Sequence, residues 1–351
     1  MRIAQVAPLF ERVPPVTYGG TERVVAYLTD ALVELGHDVT LFASGDSVTR
    51  ARLVAASPRS LRLDTACRDT MAPQIRELEL VSRMAHRFDV IHFHTGFLHL
   101  PLARHLPAPS LTTMHGRLDL DGLAPLMRDF ADAPLVSISN NQRRPYPNQA
   151  WSSTIYHGLP PQLLPFRASP DDYVAFIGRI SPEKRVDRAI EIARRAGLEL
   201  RIAAKIDVAD REYFAADIAP LLEQPHVHYL GEIGEHEKAD LLGGARALLF
   251  PIDWPEPFGM VVIEALSCGT PVLAWPEGSV PELLEHGVNG WMVDSIEAAV
   301  DALRHVDAID RHACRATFEK RFTADRMARD YGAVYKRLID ASRRGLEART
   351  A

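Results

Sequence analysis

The sequence predicts an α/β fold of two doubly wound parallel sheets, and three observations predict it. Short β-branched runs alternate with helical stripes almost from end to end, which is the pattern of repeated strand–helix units. The alternation breaks once, at Gly158–Pro170, where four prolines in thirteen residues exclude both a helix and a central strand. The chain has 351 residues, the length of two ordinary domains.

Each element follows from its local pattern. Arg2–Ala7 reads as a strand. Thr21–Leu35 reads as a helix, with Val24, Val25, Leu28, Ala31, Leu32 and Leu35 on one stripe and Gly36 as its stop. Strands are expected at 38–43, 89–94, 111–114, 135–139 and 153–156, with a helix over about 73–87. After the proline-rich stretch come strand 173–177, helix 183–196 stopped by Gly197, strand 199–204, helix 210–223 and strand 226–230. Helix 235–243, strand 247–250, helix 258–267 and strand 271–274 follow, and helices fill most of 296 to the end. In open sheets of this type ligands sit at the carboxyl ends of the strands, so a cleft between the two domains is the expected site.

Composition removes several classes. Hydrophobic residues are 47% and charged residues 25%, an ordinary globular balance that excludes a disordered, collagenous or coiled-coil chain. The net charge of −6 argues against a duplex nucleic-acid partner. The charge is uneven: residues 1–168 hold 17 arginines, no lysine and 15 acids, and the remainder holds 23 basic against 31 acidic residues. Cys67, Cys268 and Cys314 show no zinc spacing and read as free thiols of a reducing cytoplasm, Cys268 as a small buried residue. The first residues show no leader pattern, and no apolar run approaches the roughly 18 residues of a membrane span. The segment Arg76–Arg87 sets Arg76, Arg83, His86 and Arg87 against two acids, which gives little support to peripheral membrane contact.

Four motifs carry chemistry. Gly178-Arg179-Ile180-Ser181-Pro182-Glu183-Lys184 ends a strand and enters a helix. Two cations beside helix amides make a phosphate site; Ser181, Pro182 and Glu183 equally make a solvated helix start, and the two readings coexist. Glu256-Pro257-Phe258-Gly259-Met260-Val261-Val262-Ile263-Glu264 places one carboxylate on a loop and another eight positions on, in the next helix. Either carboxylate could clamp vicinal hydroxyls, and Gly259 lets backbone come close to a ligand. Tyr18-Gly19-Gly20-Thr21-Glu22 precedes the first helix and offers an anion cradle, or a flexible cap. It is not G-x-G-x-x-G, so a dinucleotide oxidoreductase loses its main support. Thr113-Met114-His115-Gly116 ends a strand with a histidine that either faces a ligand or is structural. His92, His94 and His99 invite a metal reading, but no carboxylate or cysteine stands at ligand spacing and no metal is expected.

In this order the motifs resemble the GT-B-fold retaining glycosyltransferases of family four (glycosyl transferases group 1). The resemblance runs over nearly the whole chain, through Val90-Ile91-His92-Phe93-His94, Gly269-Thr270-Pro271-Val272 and Glu285-His286-Gly287-Val288-Asn289-Gly290 as well. It implies two Rossmann-like domains facing across a cleft, 1–165 on the acceptor side and 166–321 on the donor side, with 322–351 crossing back as a helix. It implies a metal-independent transfer, with retention, of a hexose from a nucleotide diphosphate sugar to an unidentified acceptor. UDP-glucose is the favoured donor, with GDP-mannose next, and the sugar nucleotide is a substrate, so no cofactor is expected. By resemblance Arg179 and Lys184 hold the diphosphate, and Gly19 and Gly20 close on it. Glu256 and the amides of Phe258, Gly259 and Met260 hold the sugar, Val261 lies at the phosphate end of that helix, Glu264 bonds the ribose, Ile233 lies in the base-contacting loop, and His115 lies near the reaction centre. One departure is Ala203-Ala204-Lys205-Ile206-Asp207 where the family often has a glycine-rich turn, so Lys205 joins the donor contacts. The alternatives are a sugar-nucleotide epimerase and a non-catalytic sugar-nucleotide-binding protein.

Overall fold

The computed structural model describes residues 1–16 and 19–350, with side chains up to residue 344. The chain divides into two compact units, 1–158 together with 324–351, and 159–323.

The amino-terminal unit is a seven-stranded parallel sheet. Its strands are β1 (Arg2–Val6), β2 (Asp38–Ser44), β3 (Arg52–Ser57), β4 (Val90–Phe93), β5 (Ser110–Thr113), β6 (Leu135–Ser137) and β7 (Trp151–Thr154), ordered β3-β2-β1-β4-β5-β6-β7. The carboxyl-terminal unit is a six-stranded parallel sheet of β8 (Tyr173–Arg179), β9 (Glu199–Lys205), β10 (Val227–Gly231), β11 (Leu248–Phe250), β12 (Val272–Ala274) and β13 (Gly290–Met292), ordered β10-β9-β8-β11-β12-β13. In each sheet the strand order reverses once, between β1 and β4 and between β8 and β11. Ligands of open parallel sheets bind outside the carboxyl ends of the strands at such a reversal.

Strands buried on both faces are expected to be continuously apolar. Gln5, His92, Thr112 and Thr113 break that rule in β1, β4 and β5, and all are buried. The last helix, Ala324–Thr350, resolves the conflict for three of them. It packs on helix Gly20–Glu34 and buries Tyr331 and Tyr335, whose hydroxyls bond Gln5, His92 and Thr113.

Several elements differ from the sequence pattern. Strands β3 and β13 were not anticipated; β3 carries Arg52 and Ser57 on a short, partly exposed edge and β13 has only three residues. The helix after β8 starts at Val186, not at 183. Pro182–Lys184 form a separate 3₁₀ turn, and Arg185 between them takes the left-handed conformation at φ 53°. Ser181 therefore does not cap that helix with its side chain. The helix expected over 210–223 is broken into short pieces around a π-type turn at Phe214–Ile218, just ahead of Pro220, whose missing N–H interrupts the regular ladder.

Candidate active site

In the carboxyl-terminal unit the site is built on the β8–β11 reversal. Arg179 is the last residue of β8, and its register partner on β9 is Lys205. Parallel pairing thus sets two cations side by side at the carboxyl edge. Three carboxylates surround the Arg179 guanidinium. Glu183 accepts a hydrogen bond from it, Asp210 lies 3.3 Å from Nε and Asp207 3.7 Å from Nη1. Asp207 also pairs with Lys205 at 2.7 Å. Burial pushes the Asp210 carboxyl above its ordinary range, Glu183 and Asp207 add to this, and Arg179 opposes it.

Lys184 leaves the 3₁₀ turn towards the loop after β11. Its ammonium donates to Glu256 and lies over the rings of Trp254 (4.9 Å) and Phe250 (5.6 Å). The turn and the start of the next helix are tied to that loop at three further points. The Asp253 amide donates to the Glu183 carbonyl at 2.8 Å, and Arg185 and Arg188 each bond the Asp253 carboxylate. Left-handed backbone at a non-glycine residue costs about 1–2 kcal/mol, and the Arg185 ion pairs with Asp187 and Asp253 offset that cost.

Glu256 is held from behind by Gly278 and Ser279. The Ser279 amide donates to the Glu256 carbonyl at 3.0 Å, and the Ser279 hydroxyl donates to the Phe258 carbonyl at 2.7 Å. A Cβ on Gly278 would meet the Glu256 amide nitrogen at 2.3 Å, so only glycine lets the two loops touch. Gly259, left-handed at φ 78°, opens helix Met260–Ser267. Met260 and Val261 at its start are half-buried and the rest of the helix is buried. Glu264, on the same helix, is 4% exposed and accepts from Lys238 at 2.9 Å. Ile233, in the loop after β10, packs against the buried cluster that contains Tyr173 and Ala203.

In the amino-terminal unit, Gly19 sits at φ 149°, where a Cβ would strike Pro15 at 2.8 Å, and Gly20 begins the first helix. Tyr18 of the same motif lies outside the described residues. His115 follows β5. Its Nε2 lies 2.8 Å from His94 Nδ1, and His94 Nε2 lies 2.7 Å from the Gln5 side-chain Oε1. The Gln5 Nε2 donates to the Tyr335 hydroxyl. His94 must then carry its proton on Nε2, so His115 donates from Nε2 and presents a bare Nδ1. Burial lowers the His94 imidazole well below its usual range and takes His115 to about 3, so both rings are neutral. His92 bonds Tyr335 and Thr113, and His99 bonds Thr112 and Thr95. Among the described residues no group of three or more His, Cys, Asp or Glu is placed to hold a metal ion.

The structure thus gathers the predicted residues into two sets, one on each unit. Lys238, Arg185, Asp253 and Gly278 were missed. The one legible signal was lysine scarcity: Lys184, Lys205 and Lys238 are three of only five lysines.

Comparison with known families places this geometry. Residues 18–159 match Glycosyltransferase Family 4, and residues 166–315 match Glycosyl transferases group 1. The chain belongs to the family-four, group-1 glycosyltransferases. The glycogen synthase of Mycobacterium tuberculosis is 26% identical to this glycosyltransferase, over 89% of this chain and 88% of its own. Sucrose-phosphate synthase from Thermosynechococcus elongatus superposes with a TM-score of 0.79 at 19% identity, covering 97% of this chain and 100% of that one. Anabaena HepE, solved in complex with UDP and glucose, superposes with a TM-score of 0.72 at 18% identity, covering 96% and 99%. These neighbours share the GT-B fold with this glycosyltransferase. No described helix is long and apolar enough to cross a membrane.

Proposed function

We propose that the protein is a metal-independent retaining hexosyltransferase that takes its sugar from a nucleotide diphosphate donor, UDP-glucose ahead of GDP-mannose. The observation that carries this reading is the pairing of Arg179 with Lys205 across β8 and β9, with Lys184 held on Glu256 nearby. Three cations converge on one sheet edge, and each already has carboxylate partners. An incoming diphosphate takes the place of those carboxylates as counter-charge, so the cations are positioned before the donor arrives. Arg179, Lys184 and Lys205 hold the diphosphate, the task a divalent cation performs elsewhere. Glu256, freed from Lys184, and the amides of Phe258, Gly259, Met260 and Val261 take the sugar. Glu264 takes the ribose hydroxyls, and Ile233 lines the base.

In the transfer the bond from the anomeric carbon to the phosphate oxygen breaks, and a bond to the acceptor oxygen forms on the same face. The acceptor proton leaves on the departing diphosphate. Arg179 and Lys184 stabilise the charge that grows on that leaving group, Gly19 and Gly20 add backbone to the phosphate contacts, and His115 bonds a hydroxyl near the reacting carbon.

Arg179→Ala is expected to lower kcat/KM for transfer by about 10²–10³-fold, the usual cost of one charge-stabilising donor. Wild-type rates in Arg179→Ala would sink the reading. A thermal-shift panel of UDP-, GDP- and ADP-sugars identifies the donor, since a bound ligand raises apparent stability. Isomerised donor in the absence of acceptor would mark an epimerase instead.

A further inference from the structure

The amino-terminal unit contains a cavity of about 240 Å³ at the carboxyl edge of β1, β4 and β5, beside the β1–β4 reversal. Its wall includes Leu9, Gln74, Glu77, Thr95, His94 and His115. Glu77 comes from the middle of helix Met71–Met84 and is 1% exposed. Its Oε1 is buried with no hydrogen-bond partner, and among the described residues no cation offsets the burial of its carboxyl. Burial alone pushes this carboxyl well above its ordinary range. His115 Nδ1, the bare nitrogen left by the Gln5–His94 relay, is likewise buried without a partner.

An unpaired buried carboxyl is costly to a fold, and a buried acceptor nitrogen left unmade adds to that cost. Two such groups on the wall of one cavity are explained if a ligand completes them. The ligand must offer hydrogen to His115 Nδ1, so it carries a hydroxyl there. At Glu77 it must offer O–H or N–H. No lysine or arginine lines the cavity, so a phosphate or carboxylate entering it would lose hydration and find no counter-charge.

Resting on the transferase reading above, we infer that this cavity is the acceptor pocket, and that Glu77 is its specificity-determining residue, admitting uncharged or cationic hydroxyl compounds and rejecting anionic ones. The carboxyl is a functional misfit beside Leu78 and Val81, the other buried residues of its helix. An apolar side chain of similar size would suit the fold better and the acceptor worse.

The test compares wild type, Glu77→Leu and Glu77→Gln. Each is given the donor selected by thermal shift, with a library in which each hydroxyl compound appears in neutral, amino and phosphorylated forms, beginning with glucose, glucosamine and glucose 6-phosphate. Wild type is expected to prefer neutral or amino members at least tenfold in kcat/KM. Glu77→Leu is expected to melt higher and to raise acceptor KM at least tenfold. Glu77→Gln is expected to keep use of neutral members and lose that of amino ones. A phosphorylated member as best acceptor, unchanged acceptor KM in Glu77→Leu, or donor binding with no neutral or amino member taken would each overturn the assignment. A wild type that binds no nucleotide sugar would overturn the transferase reading instead.

Discussion

Lys238 and Glu264 are a buried ion pair at 2.9 Å whose side chains are 12% and 5% exposed. Glu235 adds a second acid on the lysine at 3.2 Å. The Lys238 ammonium is the counter-charge of the Glu264 carboxylate in a helix that is otherwise apolar. Lys238→Met strands that carboxylate, and breaking a buried pair from one side costs about 3–5 kcal/mol. The variant is therefore expected to lose on the order of 3 kcal/mol in urea unfolding. Lys238→Met with Glu264→Leu is expected to recover more than half of the loss, because no uncompensated charge remains. A single variant as stable as wild type would show that solvent already screens the pair. The amino acid types at both positions are visible in the sequence, but the pairing is not, since 26 residues separate them and only the contact between helices Glu235–Gly244 and Met260–Ser267 brings them together.

At the scale of elements, the loop that carries Glu256 is shaped less by its own residues than by what supports it. The 182–185 turn bonds it through Asp253, and the 276–279 loop supports it from behind. Gly278→Ala places a methyl 2.3 Å from the Glu256 nitrogen, on a backbone at φ 59°. The loops must separate, which is expected to cost about 1–3 kcal/mol and to weaken donor binding in calorimetry at least tenfold. Gly36→Ala is the control. It sits at φ 81° with open space around it, so it pays only the backbone term of about 1–2 kcal/mol and leaves donor affinity unchanged. Equal donor affinity in both variants would separate Gly278 from the site. Apart from β3 and β13, the strands and the long helices of this fold were legible because their apolar periods are local. The Arg185 break, the Gly278 contact and the π-type turn were not legible, because each is decided by a neighbour distant in sequence or by a missing N–H. The Arg179–Lys184 and Glu256–Glu264 motifs were legible as charge patterns, whereas Glu77 looked like any acid on an amphipathic helix until its surroundings were known.

Taken whole, the molecule distributes its buried histidines unequally. His92, His94, His99, His115 and His157 all belong to the amino-terminal unit, where burial and mutual proximity depress their affinity for protons, His99 and His115 to about 3. The described histidines of the carboxyl-terminal unit are half-buried or exposed. An unfolded chain protonates histidine near its ordinary value of 6.5, while these five folded rings stay neutral down to much lower pH. Between those values the unfolded state binds more protons, so stability is full above about pH 6.5 and is lost as pH falls towards 3. Glu22 and Glu77 act with the opposite sign: burial raises both, which favours the fold at low pH and costs stability as pH rises. Two carboxyls set against five imidazoles leave the histidines in control. At constant temperature, lowering the pH from 7.5 to 5.5 is expected to open the amino-terminal unit first. Limited proteolysis mapped by mass spectrometry should show new cuts within residues 85–130 at pH 5.5, while the buried thiols Cys268 and Cys314 stay protected from labelling. Equal protection of both units across that range, or earlier labelling of the two thiols, would show that the histidine network does not set the acid limit of the fold.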